Sequence, residues 1–149
     1  MRTTLLISLT LYFGALHASE KDSIAVANAV SAFVTAFNNF DWPAFRTSFD
    51  EDASIFHPTW ENARRIRGKR EIEATWLNIF PEFSDTKNTS KLNIDPREIN
   101  IQIYGSTAIV TFHLGDGAKV LSRRTIVMAN KNDGWKIVHV HASRLNKDD

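Results

Sequence analysis

The sequence predicts an α+β fold, a cone-like curved antiparallel sheet wrapped around three N-terminal helices. Three observations carry that expectation. Apolar residues recur at helical spacing as far as Phe83, the period changes to two beyond Lys91, and turn signals at Gly105-Ser106, Gly115-Asp116-Gly117 and Asn132-Asp133-Gly134 cut the second half into strands. Short loops between successive strands favour a meander, and the helices ahead of it must cover one face to close a core. A cone of this kind leaves an apolar cavity between sheet and helices, the first place to look for function.

In chain order, Met1 to Ala18 reads as a secretory signal peptide. Arg2 gives a basic start, Leu5 to Leu16 is an apolar run, and Leu16-His17-Ala18 ends in a small residue suited to cleavage. That run is shorter than the roughly 20 residues needed to span a bilayer. A single domain over residues 19–149, secreted or periplasmic and with no membrane attachment after cleavage, is the expectation. No cysteine follows the cleavage point, which argues against a lipoprotein.

Val26, Val30, Phe33, Val34 and Phe37 then fall on one face of a first helix from Asp22 to Asn39. Asp41 caps a second helix with Pro43 in its first turn and Phe45 and Phe49 one turn apart. Ser54-Ile55-Phe56-His57 is a brief strand that Pro58 stops, leading into a loop with Trp60. Gly68 opens a third helix with Ile72, Trp76, Ile79, Phe80 and Phe83 as its buried stripe, ended near Phe80 by Pro81. Four strands follow, Glu98 to Tyr104, Thr107 to Leu114, Val120 to Ala129 and Trp135 to Ser143.

Composition narrows the function. The 149 residues carry a net charge of +1, so the sequence offers no electrostatic footprint for nucleic acid or for an anionic membrane surface. With no cysteine there is no disulfide scaffold, thiolate nucleophile or thiolate metal site. The run Arg64-Arg65-Ile66-Arg67 with Lys69 and Arg70 reads as a solvated loop. Asn88-Thr89-Ser90 is a glycosylation acceptor only in a eukaryotic host.

Three stretches carry a family resemblance: Asn39-Phe40-Asp41-Trp42-Pro43-Ala44-Phe45, Asp52 through Pro58, and Arg123 through Met128 followed by Asp133-Gly134-Trp135 and the strand to Ser143. Together with the order of elements they resemble the nuclear transport factor 2-like superfamily, most closely SnoaL-like domains and the association domain of calcium/calmodulin-dependent protein kinase. The superfamily includes isomerases, dehydratases, hydrolases and oligomerisation modules, so the resemblance implies a fold before it implies an activity. In its ketosteroid isomerase branch a catalytic carboxylate precedes a proline at the end of the first strand, and His57 stands at that position. The branch's oxyanion donors map to Phe33 and Ile126, neither of which can donate a hydrogen bond. The kinase domain's pocket arginines map to His113, Ile126 and Ala142, so that cluster is absent.

What the matching leaves is His57, His113 and Arg124 as candidate catalytic or orienting residues, and Phe33, Trp60, Trp76, Ile126, Met128 and Val140 as candidate ligand contacts. Strand parity puts Ile126, Met128, Val138 and Val140 on the pocket face with His113 and Arg124. His139 and His141 would lie on the outer face with Thr125, Val127 and Ser143, suited to a homodimer interface. No metal or cofactor is expected there, because no third ligand accompanies the histidine pair. The expected function is that of an exported small-molecule-binding protein with an apolar pocket, an isomerase, dehydratase or hydrolase type if His57 acts as a base. The alternative is a non-catalytic homodimerisation or interaction module.

Overall fold

The computed structural model describes residues 7–57, 64–116 and 119–144, and the side chains of 20–57, 64–115 and 122–144. Helix α1 spans Ile7–Asn38, so it runs unbroken through the expected cleavage point at Ala18 instead of starting near Asp22. Residues 1–6 of the expected leader lie outside the described residues. Among those described, no helix is long and apolar enough to cross a membrane. Val26, Val30, Phe33 and Ala36 form the buried stripe of α1, with Val34 and Phe37 partly buried beside it.

The helix ends where Phe40 adopts φ 52 and the Asp41 amide donates to the Ala36 carbonyl at 2.9 Å. A left-handed phenylalanine is unfavourable in isolation. Here its ring is buried against Phe80 and Phe83, at centroid distances of 6.3 and 5.3 Å, which offsets the backbone cost. Asp41 next caps α2 (Trp42–Thr47), its carboxylate accepting from the Ala44 amide at 3.0 Å. Phe49 does not share this helix. It begins strand β1 (Phe49–Phe56), which is twice the length of the expected Ser54–His57 strand. The polar run Asp50-Glu51-Asp52 hides the strand from a reading based on apolar alternation.

A two-residue strand β2 (Ile66–Arg67) pairs antiparallel with β1 inside the basic run and buries Ile66. The surrounding charges find acidic partners: Arg64 pairs with Glu71, and Lys69 with Glu51 at 2.9 Å. Gly68, at φ 83, turns the chain into α3 (Lys69–Ile79), which ends by Phe80 as expected, while Phe83 belongs not to this helix but to a separate 3-10 turn that Pro81 opens (Pro81–Ser84). Ile72 and Phe83 are buried, while Trp76, Ile79 and Phe80 are half-buried.

Strands β3 (Asp95–Tyr104), β4 (Thr107–Asp116), β5 (Lys119–Lys131) and β6 (Gly134–Arg144) make the antiparallel meander. The sheet has six strands, in the order β2-β1-β6-β5-β4-β3, and β1 joins β6 in parallel, making the whole mixed. Ile55 on β1, Val110 on β4, Ile126 and Met128 on β5 and Ile137 on β6 meet the helices in one core. Nine aromatic side chains, from Phe33 to Phe83, fill the helical side; Phe45 alone lies within 5.5 Å, centroid to centroid, of Phe33, Phe37, Phe49, Trp76 and Phe83. Such edge and stacked pairs add to the stabilisation from area burial.

Candidate active site in the cone

The register places one row of residues across the inner face of the sheet. Phe112 on β4 pairs with Arg124 on β5, and Arg124 with Ala142 on β6. One position past the Phe56–His141 pair, His57 stands level with Ala142. With strands about 4.8 Å apart, the His57 and Arg124 backbones are roughly 10 Å from one another. Ala142 between them is small, and the space above it opens into a cavity of about 60 Å³. Phe33, Val34 and Phe37 of α1, Trp76 of α3, Ile55, Ile94, Leu114, Ile126 and Val140 complete the wall. The volume suits on the order of four waters, or a ligand fragment of similar size.

Two polar groups interrupt this apolar lining. The His57 ring meets Trp76 edge to face at 5.7 Å, and Trp76 packs in turn on Phe37 at 5.1 Å. Arg124 has a different environment. Its Nη1 donates to the Arg123 carbonyl at 3.0 Å, and among the described residues no carboxylate pairs with it. Burial pushes its guanidinium down to about 10, well below the ordinary arginine range. The group still carries its charge at neutral pH, in surroundings that stabilise charge poorly.

Of the expected contacts, Phe33, Trp76, Ile126 and Val140 line the cavity. Met128 faces the same side but is sealed in the core below it. Trp60 lies outside the described residues. His113 is displaced from its expected place. Ala108, Val110 and Phe112 are buried on the inner face, so His113, one residue on, faces outward and pairs with Glu98 at 2.9 Å. Val138 also leaves the pocket face. Between the Val127–His139 and Met128–Ile137 pairs β6 carries one extra residue, and beyond this bulge Ile137 takes the inner position.

His139 and His141 lie on the outer face beside Val127 and Thr125, their register partners. Ser54 Oγ is 2.9 Å from His139 Nδ1, and Phe56 packs against both imidazoles. Burial chiefly, then the neighbouring His141 and Arg65, lowers the His139 pKa below the ordinary value. Among the described residues no three His, Asp or Glu side chains converge as a metal site would need.

Fold and cavity together define a cone-shaped domain of the NTF2-like class. Residues 26–147 match the SnoaL-like domain, and the chain belongs to that family. Among solved structures it is similar to a candidate dehydratase of the NTF2-like family from Streptomyces avermitilis, with 21% identity, 86% of this chain and 99% of that chain covered, and a TM-score of 0.70. It is similar also to a candidate ketosteroid isomerase from Shewanella frigidimarina (27% identity, 80% and 94% covered, TM-score 0.60). The S. rosetta CaMKII hub matches at 25% identity, with 81% and 95% covered and a TM-score of 0.63. No curated protein matches the chain.

Proposed function

We propose that this domain binds a small, largely apolar molecule bearing a carboxylate or comparable anion, with Arg124 holding the charge and His57 moving a proton. The observation that carries the proposal is Arg124 itself, a cation in an apolar cavity with no acidic partner among the described residues. A half-buried charge without a counterion is poorly solvated, and a ligand that brings the counterion recovers part of that cost. A planar guanidinium also suits a carboxylate through two parallel hydrogen bonds. Retention of a ligand in native mass spectra of protein purified from its own cells tests this. A small acid bound by the wild type and lost from Arg124→Met is the expected result; a neutral molecule held equally by both contradicts it.

His57 is the base of this scheme. Its imidazole accepts a proton from a substrate carbon or hydroxyl in the cavity, as a neutral histidine can near pH 7. Arg124 fixes the substrate so that the acidic proton sits near that ring. Neighbours named as a candidate dehydratase and a candidate ketosteroid isomerase are consistent with proton-transfer chemistry on this fold. Export to the secreted or periplasmic space rests on the leader that the sequence pattern of positions 1–18 suggests. Thr125, Val127, His139, His141 and Ser143 on the outer face supply a surface for a homodimer, an arrangement that leaves the cavity free.

A further inference from the structure

Resting on the reading of Arg124 as an anion anchor, we infer that the ligand is an elongated carboxylate whose apolar tail passes Val34 and lies in a groove between α1 and β3. The cavity around Arg124 holds about 60 Å³, room for a carboxylate and a few carbons. Next to it lies a second space of about 180 Å³, formed by Val30, Ser31 and Val34 of α1 with Pro96 and Ile99 of β3. Val34 belongs to both linings, so one side chain separates the headgroup chamber from the groove. Among the described residues no charged one lines the groove, which therefore fits hydrocarbon better than a second ionic group.

The backbone of β3 is built to make this groove. Pro96 and Ile99 are three residues apart and would face opposite sides of a regular strand. Between the Arg97–His113 and Asn100–Thr111 pairs β3 carries one extra residue, which brings both to the α1 side. Glu98 absorbs the distortion at φ 54, a conformation unfavourable for a residue with a Cβ. Its carboxylate is held on the outer face by His113 at 2.9 Å. The pair lies beside the bulge that presents Ile99, which stays 49% exposed. At the other side of the opening, Asn38 clamps Ile94 through both its amide and its carbonyl, at 2.8 and 3.0 Å. That clamp fixes Ile94 in the chamber wall, and continuity between chamber and groove runs past Val34.

Calorimetric titration with butanoate, octanoate and dodecanoate tests the inference, using wild type, Ser31→Trp and Ile99→Ser. Both substituted residues touch the groove and not the headgroup chamber. Affinity is expected to rise about fourfold per added methylene until the groove is filled. Ser31→Trp should flatten this dependence while leaving butanoate binding unchanged. Ile99→Ser should weaken dodecanoate about three- to tenfold, and this smaller side chain at a half-exposed site serves if the tryptophan perturbs the helix. Carboxylates that bind with no dependence on chain length, or a dependence indifferent to both variants, overturn the tail subsite while leaving the Arg124 reading standing. Failure of all three acids to bind overturns both. A change of oligomeric mass in Ile99→Ser with no change in dodecanoate affinity assigns the groove to a second copy and overturns the inference.

Discussion

Arg124 and His57 stand in one row on the inner face of the sheet, on either side of Ala142, with apolar side chains above them. The spacing of roughly 10 Å, two strands apart, separates the anion anchor from the base by a few bonds of substrate. An acid bound at Arg124 with its tail toward β3 thus presents to the imidazole only a substituent on its Ala142 side, since β1 and β3 flank β5 in opposite directions. Replacing Ala142 by a larger residue would fill the space between them. Ala142→Leu is expected to abolish ligand binding while the fold, read by far-ultraviolet circular dichroism, is retained.

Removing the charge at position 124 should separate function from stability. A methionine there eliminates an unpaired cation from an apolar wall, so Arg124→Met is expected to be as stable as wild type or more stable by about 1 kcal/mol. Urea unfolding measures this. A loss of more than about 2 kcal/mol would mean that Arg124 makes a structural contribution which the cavity reading omits.

If His57 is the base, His57→Gln should lower turnover of any substrate identified by about a hundred- to ten-thousandfold with little change in ligand affinity. Equal turnover in His57→Gln and wild type would remove the proton-transfer role and leave a binding protein.

On the outer face, His139 gives a pH dependence of known sign. Its folded-state pKa lies below the unfolded value near 6.5, so the unfolded chain binds more protons as the pH falls. The stability this group contributes is complete above about pH 6.5 and declines as the pH drops through that value toward the folded pKa. Thermal unfolding between pH 8 and 5 should show a fall in Tm that is reduced in His139→Gln. If two copies pair through the outer face, burial of His139 there would steepen it, and sedimentation at pH 8 and pH 5 would register dissociation. One-chain mass at both pH values and micromolar concentration contradicts the dimer.

Gly68 sets the start of α3 and, through it, the position of Trp76 over His57. A Cβ there would meet nothing closer than the Glu51 carbonyl at 3.9 Å, so space is not limiting, but φ 83 is. Gly68→Ala is expected to cost roughly 1 kcal/mol, measured by chemical denaturation.

The legible part of this molecule is the part governed by periodicity and punctuation. Val26, Val30 and Phe33 mark the buried face of α1, Asp41 marks its capped neighbour, and the turns at Gly105 and Gly134 mark two hairpins. Bulges are the part that hides. The extra residue near Val138 and the one at Glu98 reverse inside and outside without any local composition signal. His113 is a different case. The alternation Ala108, Val110, Phe112, Leu114 already places it on the outer face, and only the family matching puts it in the pocket. Strand β2 is masked by the arginines around Ile66, and the parallel β1–β6 pairing joins distant segments, so no turn signal announces it. That no carboxylate among the described residues reaches Arg124 is a fact of three dimensions.

The central claim is that Arg124 selects an anion inside an apolar cavity, and a matched pair of ligands tests it most directly. Octanoate and octanamide have nearly the same shape and differ in charge. Calorimetry on the wild type should give octanoate an affinity at least tenfold higher than octanamide, with the preference lost in Arg124→Met. Equal affinities in the wild type, or a preference for octanoate that survives in Arg124→Met, would contradict the account.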